Sequence, residues 1–147
     1  MRTALLALLI LAGPASTKDS EKKIRMQDLP PAVQDAVKEH STGATVIGFA
    51  KEIEGGATLY EAEMKVGNRT KDVTFDPQGK VVTVEEETTL DSIPAPARDA
   101  IRKAAGKHKV LLVESVSEKG STFYEAHYRA GLHTKEIKVD AAGQPVK

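Results

Sequence analysis

TLYEAEMKV at residues 58–66 and TFYEAHYRA at residues 122–130 decide how this chain reads. Sliding the chain against itself by about 64 residues superimposes them. The same shift, with no gap, brings Leu29, Pro30, Asp35, Ala36 and Val37 onto Ile93, Pro94, Asp99, Ala100 and Ile101. It also brings Gly67, Thr70, Lys71, Asp76 and Gly79 onto Gly131, Thr134, Lys135, Asp140 and Gly143. About 16 identities fall in roughly 58 aligned pairs, all in one register, so one unit is written twice. Within each stretch, Tyr60, Ala62, Met64 and Val66 alternate with Leu59, Glu61, Glu63 and Lys65, the period of a strand with one apolar and one polar face.

Upstream of each stretch the period changes. Val33, Ala36, Val37 and His40 share a helical face behind Pro30 and Pro31, and Ala97, Ala100, Ile101 and Ala104 repeat it behind Pro94 and Pro96, with Asp91 or Ser92 as the expected cap. Strands are expected at 45–53 and 109–117, then at the two opening stretches. Gly67 with Asn68, and Gly131 with Leu132, are two-residue hairpin turns into further strands. Asp76, Pro77, Gln78 and Gly79 form a turn leading to a fourth strand near Val81–Glu87, whose counterpart from Pro145 is expected to be truncated. The expected fold is therefore α+β: two tandem repeats of one helix followed by a three- to four-stranded antiparallel meander, with the helices on one face of the sheet.

Composition narrows the function. The chain carries 21 Lys and Arg against 21 Asp and Glu, with no basic run, which argues against a nucleic-acid partner. It has no Cys, which excludes disulfides, thiolate metal sites and cysteine nucleophiles. Residues 1–15 combine Arg2, the apolar run Ala4–Ala12 and the small residues Gly13 and Ala15, the layout of a signal peptide, and the run is too short for a membrane helix. The expected organisation is a signal peptide at 1–15, a flexible polar lead-in at 16–25, one repeat at 26–89 and a second at 90–147. That makes the protein periplasmic or secreted, free of the membrane after cleavage.

Tyr60, Glu61 and Ala62 with Asp76, Pro77, Gln78, Gly79 and Lys80, and their copies Tyr124, Glu125, Ala126, Asp140 and Gly143, resemble the PepSY-like repeats related to beta-lactamase-inhibitory protein. The resemblance spans Met26–Lys147. It implies an exported, non-enzymatic module whose open sheet face engages another protein, sometimes a hydrolase that it inhibits. The cysteines and the richer aromatic set of the lactamase inhibitor are absent from this chain.

The open face should display Leu59, Glu61, Glu63, Lys65, Thr70, Asp72 and Thr74 from the first unit, and Phe123, Glu125, His127, Arg129, Thr134, Glu136 and Lys138 from the second. The hairpin register sets Glu63 opposite Asp72 and His127 opposite Glu136. Opposed carboxylates call for a cation or a basic partner, unless Lys65 or Lys71 neutralises them, and Glu85 and Glu87 can add charge. Leu59 and Phe123 share one repeat position and should stand exposed on the open face, where a large apolar side chain suggests contact with a partner. The candidate partner-binding residues are thus Leu59, Glu61, Glu63, Asp72, Phe123, Glu125, His127 and Arg129. His127 and His133 should point to opposite faces and cannot share a ligand, so no metal site is expected. No phosphate loop, nucleophile elbow or HExxH motif is present, and neither an enzyme nor a cofactor is expected. The expected partner is another exported protein. The alternative is a small-ligand or cation sensor built on the acidic strands of the first unit. N-terminal sequencing of the exported protein should begin at Ser16; a chain still beginning at Met1 would overturn the cleavage expectation.

Overall fold

The computed structural model describes residues 20–146; the expected signal peptide and the first residues of the expected lead-in lie outside them. In chain order the strands are β1 (Ser20–Ile24), β2 (Thr45–Glu54), β3 (Ala57–Val66), β4 (Arg69–Phe75), β5 (Val81–Glu87), β6 (Val110–Glu118), β7 (Ser121–Ala130) and β8 (His133–Asp140). Helix α1 (Pro31–His40) lies between β1 and β2, and α2 (Ala95–Ala105) between β5 and β6. All eight strands form one sheet in sequential order, and every neighbouring pair is antiparallel.

The expected fold class, two helix-plus-meander repeats of three to four strands each, is therefore corrected. The joint is β5 with β6, paired from Thr83↔Glu118 to Glu87↔Glu114. A separate meander would leave a row of N–H and C=O groups unpaired along β5, and pairing with β6 satisfies them. A second difference is β1. Ser20–Ile24, expected as lead-in, runs along β2 in the register Ser20↔Ile53 to Ile24↔Phe49. Apart from Ile24 its side chains are exposed, so it has no buried alternation to read and is held by main-chain pairing.

Both helices lie on the same face. Val33 and Val37 of α1 pack with Ala62, Met64, Val73 and Phe75, while Ala97 and Ile101 of α2 pack with Val113, Ala126 and Val139. The register carries that face across the joint, from Val73 to Val84 to Ser117, and two residues back along β6 at a time to Val113. Burying a side chain such as Phe75, with no exposed surface, contributes about 1.5–3 kcal/mol. The helices start at prolines: Pro30 and Pro94 occupy the cap positions without a side-chain cap, and each helix has a further proline in its first turn. Asp91 and Ser92, expected as caps, belong instead to a 3₁₀ turn at Leu90–Ser92.

Two turns tie the helices to the sheet. Asp76 Oδ1 accepts hydrogen bonds from the Gln78 and Lys80 N–H groups, both at 2.9 Å. Asp140 Oδ1 does the same for Ala142 at 2.9 Å and Gln144 at 2.8 Å. These turns bring Gly79 and Gly143 against the first turns of the helices, with φ of 79° and 78°. A Cβ at Gly79 would lie 2.5 Å from the Ala32 carbonyl oxygen, and one at Gly143 would lie 2.5 Å from that of Pro96. Gly131 also has positive φ but open space around it. Gly79→Ala and Gly143→Ala should each cost about 1–3 kcal/mol in denaturant unfolding, and Gly131→Ala distinctly less; equal losses would deny the helix contact its role.

Candidate functional site

The helix-free face is where the polar half of each strand's alternation points. Reading the register from β3 to β8 places Glu61, Glu63, Asp72, Glu85, Glu114, Glu125 and His127 on it, with Glu52 from β2 and Lys138 from β8. No helix covers this face, yet Glu61, Glu114, Glu125, His127, Val116 and Phe123 are all buried. Side chains standing as cross-strand neighbours on one face shield one another, and the single sheet sets these residues side by side across six strands.

Burial changes the chemistry of these acids. In the first half, Glu52 and Glu61 share a side-chain hydrogen bond, and burial followed by that bond drives the Glu61 carboxyl well above the usual carboxylate range. Glu61 is then the protonated donor and Glu52 the acceptor, while the buried Glu52 Oε1 has no hydrogen-bond partner. Glu63 folds its carboxylate over Gly48, where an added Cβ would lie 3.2 Å away, so Gly48 leaves room for it. Asp72, opposite Glu63, is pushed up to about 6 by burial and by Glu63. In the middle, burial and neighbouring carboxylates raise Glu85 to about 7 and Glu114 to about 8.

The second half is partly neutralised. His127 Nε2 lies 3.2 Å from Glu125 Oε1, and Lys138 Nζ lies 3.2 Å from Glu125 Oε2. Burial works against an ionised Glu125, but the His127 hydrogen bond and the Lys138 ammonium outweigh it and hold its carboxyl below the ordinary value. Hydrogen bonding to Glu125 raises His127 against the opposing effect of burial. Lys138 also sits 4.8 Å over the Phe123 ring.

The structure places the sequence candidates unevenly. Glu61, Glu63 and Asp72 come together across β3 and β4, and Glu125 and His127 come together on β7. Glu63↔Asp72 and His127↔Glu136 are the register partners expected. Leu59 is half-buried opposite Glu52, and Arg129 is exposed beyond the carboxylates. Phe123 is only 7% exposed: it packs opposite Val116 and under Lys138, which corrects the expectation of an exposed contact residue. Glu52 and Glu114 were missed. A one-residue irregularity between Val110 and Leu112 shifts the β6 register, and the carboxylate at 114 stands where the first unit has Ala50, so repeat comparison carried no signal for it.

Comparison with known proteins adds the fold. The chain is similar to the crystal structure of a candidate periplasmic protein from Bacteroides eggerthii, at 21% identity and TM-score 0.66, over 81% of this chain and 86% of that one. A DUF2874 family protein from Bacteroides uniformis gives 22% identity and TM-score 0.64, over 80% and 86%. A BLIP-like protein from Bacteroides fragilis gives 21% and 0.59, over 81% and 84%. These likenesses show a shared fold. No family model matches the chain, and no curated protein matches it.

Asp72, Glu85 and Glu114 have folded-state pKa values above the values of 3.8, 4.5 and 4.5 expected in the unfolded chain. Between the two values the folded state holds more protons than the unfolded state, so stability falls as pH rises. The His127–Glu125 pair acts in the same sense above the ordinary histidine value, because the raised imidazole loses its charge there. Denaturant unfolding should therefore show stability decreasing from about pH 5 to about pH 8. Glu85→Gln should flatten that slope and raise stability at the alkaline end. A flat parent profile would contradict the burial of these charges.

Proposed function

We propose that this chain is an exported, non-enzymatic binding module that uses its helix-free face to take a Lys- or Arg-bearing segment of another exported protein. The observation that carries this reading is the excess of carboxylates over cations in the first half of that face. Glu52, Glu61, Glu63, Asp72 and Glu85 converge there, and burial with mutual repulsion raises Glu52, Glu61, Asp72 and Glu85. Of the two neutralising groups suggested by the sequence, Lys71 pairs with Glu86 at 3.5 Å and its register neighbours Met64 and Glu86 belong to the other face, while Lys65 shares the helix-free face but is exposed, opposite Thr70 and beyond Glu63. A guanidinium or ammonium laid among these carboxylates would replace several proton-sharing contacts with charge-assisted hydrogen bonds.

Export rests on the layout of residues 1–15, and the description of the Bacteroides eggerthii neighbour as a candidate periplasmic protein agrees with it. The likeness to a BLIP-like protein favours protein recognition over catalysis. A cavity of about 200 Å³, lined by Glu87, Thr88, Leu90 and residues 110–113, is small for an organic substrate and leaves the acidic centre outside it.

The test is capture from the exported protein fraction, comparing the parent with a Glu63→Gln, Asp72→Asn double variant whose side chains keep their shape. The parent should retain a partner that the variant loses, and the affinity should fall about tenfold or more between low and physiological salt. Capture that is indifferent to both the substitutions and salt would overturn the reading.

A further inference from the structure

A different part of the same face carries a second inference. His127 was expected to lack a ligand partner because His133 points elsewhere, but the structure surrounds its imidazole with carboxylates from two strands. Ligand atoms of Glu114, Glu125 and His127 all lie within 4.8 Å of one another. Nε2 of His127 is 3.2 Å from Glu125 Oε1 and 3.9 Å from Glu114 Oε2. Metal–ligand bonds of about 2.0–2.2 Å at tetrahedral to right angles need donors about 2.8–3.6 Å apart, so the His127–Glu125 separation meets the requirement and Glu114 needs to move in by a few tenths of an ångström.

Two further observations point to an ion. The Glu114 side chain is 9% exposed, and the cationic group paired with it, His127, stands at 3.9 Å, longer than a direct hydrogen bond. A carboxylate this buried is costly to keep ionised without a close cation. The second observation is the orientation of Glu125. Lys138 holds Oε2 at 3.2 Å, leaving Oε1 turned toward His127, as an outer partner turns a ligating carboxylate toward its metal.

We propose that Glu114, Glu125 and His127 form a binding site for a divalent transition-metal ion such as Zn²⁺, with Lys138 as the positioning residue for Glu125. The imidazole separates this ion class from Ca²⁺ and Mg²⁺, which take oxygen donors. Three protein ligands leave at least one coordination position for water or for a donor from a partner. The site lies on the β6–β8 side and does not depend on the cationic-partner reading. Metal binding is measured on the free protein, so either proposal can fail without the other.

The experiment is titration of the EDTA-stripped protein with Zn²⁺ by calorimetry and with Co²⁺ by visible absorption, because Zn²⁺ itself is spectroscopically silent. One ion per chain should bind saturably, raise the melting temperature and outcompete Ca²⁺ by tenfold or more. His127→Gln and Glu114→Gln should each weaken Zn²⁺ affinity at least tenfold, whereas Glu61→Gln in the other half should leave it unchanged. If either variant fails to fold, the parent decides alone through the His127 imidazole resonances, whose shift on Zn²⁺ addition supports the site. Absence of saturable binding, affinity unchanged in His127→Gln, or unmoved His127 resonances would overturn it.

Discussion

Main-chain pairing between β5 and β6 is the constraint on which the rest of this molecule depends. It joins eight strands into one sheet, and so brings Asp72 and Glu85 from one side of the joint beside Glu114 and Glu125 from the other. Without it the two halves of the chain would each keep a small acidic strand face in water, where charge costs little. With it, side chains from both halves become cross-strand neighbours on the uncovered face and shield one another from water. The same hydrogen bonds that stabilise the sheet thereby create the electrostatic problem at its centre.

The two faces divide the labour. On the helix side, two packed clusters sit under α1 and α2, and the Gly79 and Gly143 turns hold each helix at a distance that no Cβ would allow. This face supplies the apolar burial. The other face has too little apolar surface to be a second core: Ala50, Val116 and Phe123 are buried there among carboxylates. Raised proton affinity at Asp72, Glu85 and Glu114 shows that these acids are kept at a cost to stability near neutral pH. The acids stand apart from the cavity beside Leu90, which Glu87, Thr88 and residues 110–113 line with it.

The face is also graded. Its first half is anionic and shares protons, through Glu52 and Glu61. Its second half contains its own cations, His127 and Lys138, each 3.2 Å from Glu125. The two proposals follow that gradient: a cationic segment suits the first half, and a metal with mixed nitrogen and oxygen donors suits the second.

The sequence by itself determined the local periods and turns. Alternation in residues 58–66 and 122–130 assigned Tyr60, Ala62 and Met64 to one face and Glu61 and Glu63 to the other, and Gly67 and Gly131 set the hairpin registers, because these depend on neighbours a few residues away. Only the tertiary structure decided that the sheet is single, that Ser20–Ile24 joins it, and that Phe123 and Glu61 are buried. It also decided that Glu114 meets His127. Those outcomes depend on pairing between strands far apart in sequence and on which side chains that pairing sets side by side. A repeat register written into the chain therefore carries no trace of them at positions such as Ala50 and Glu114, where the two copies differ.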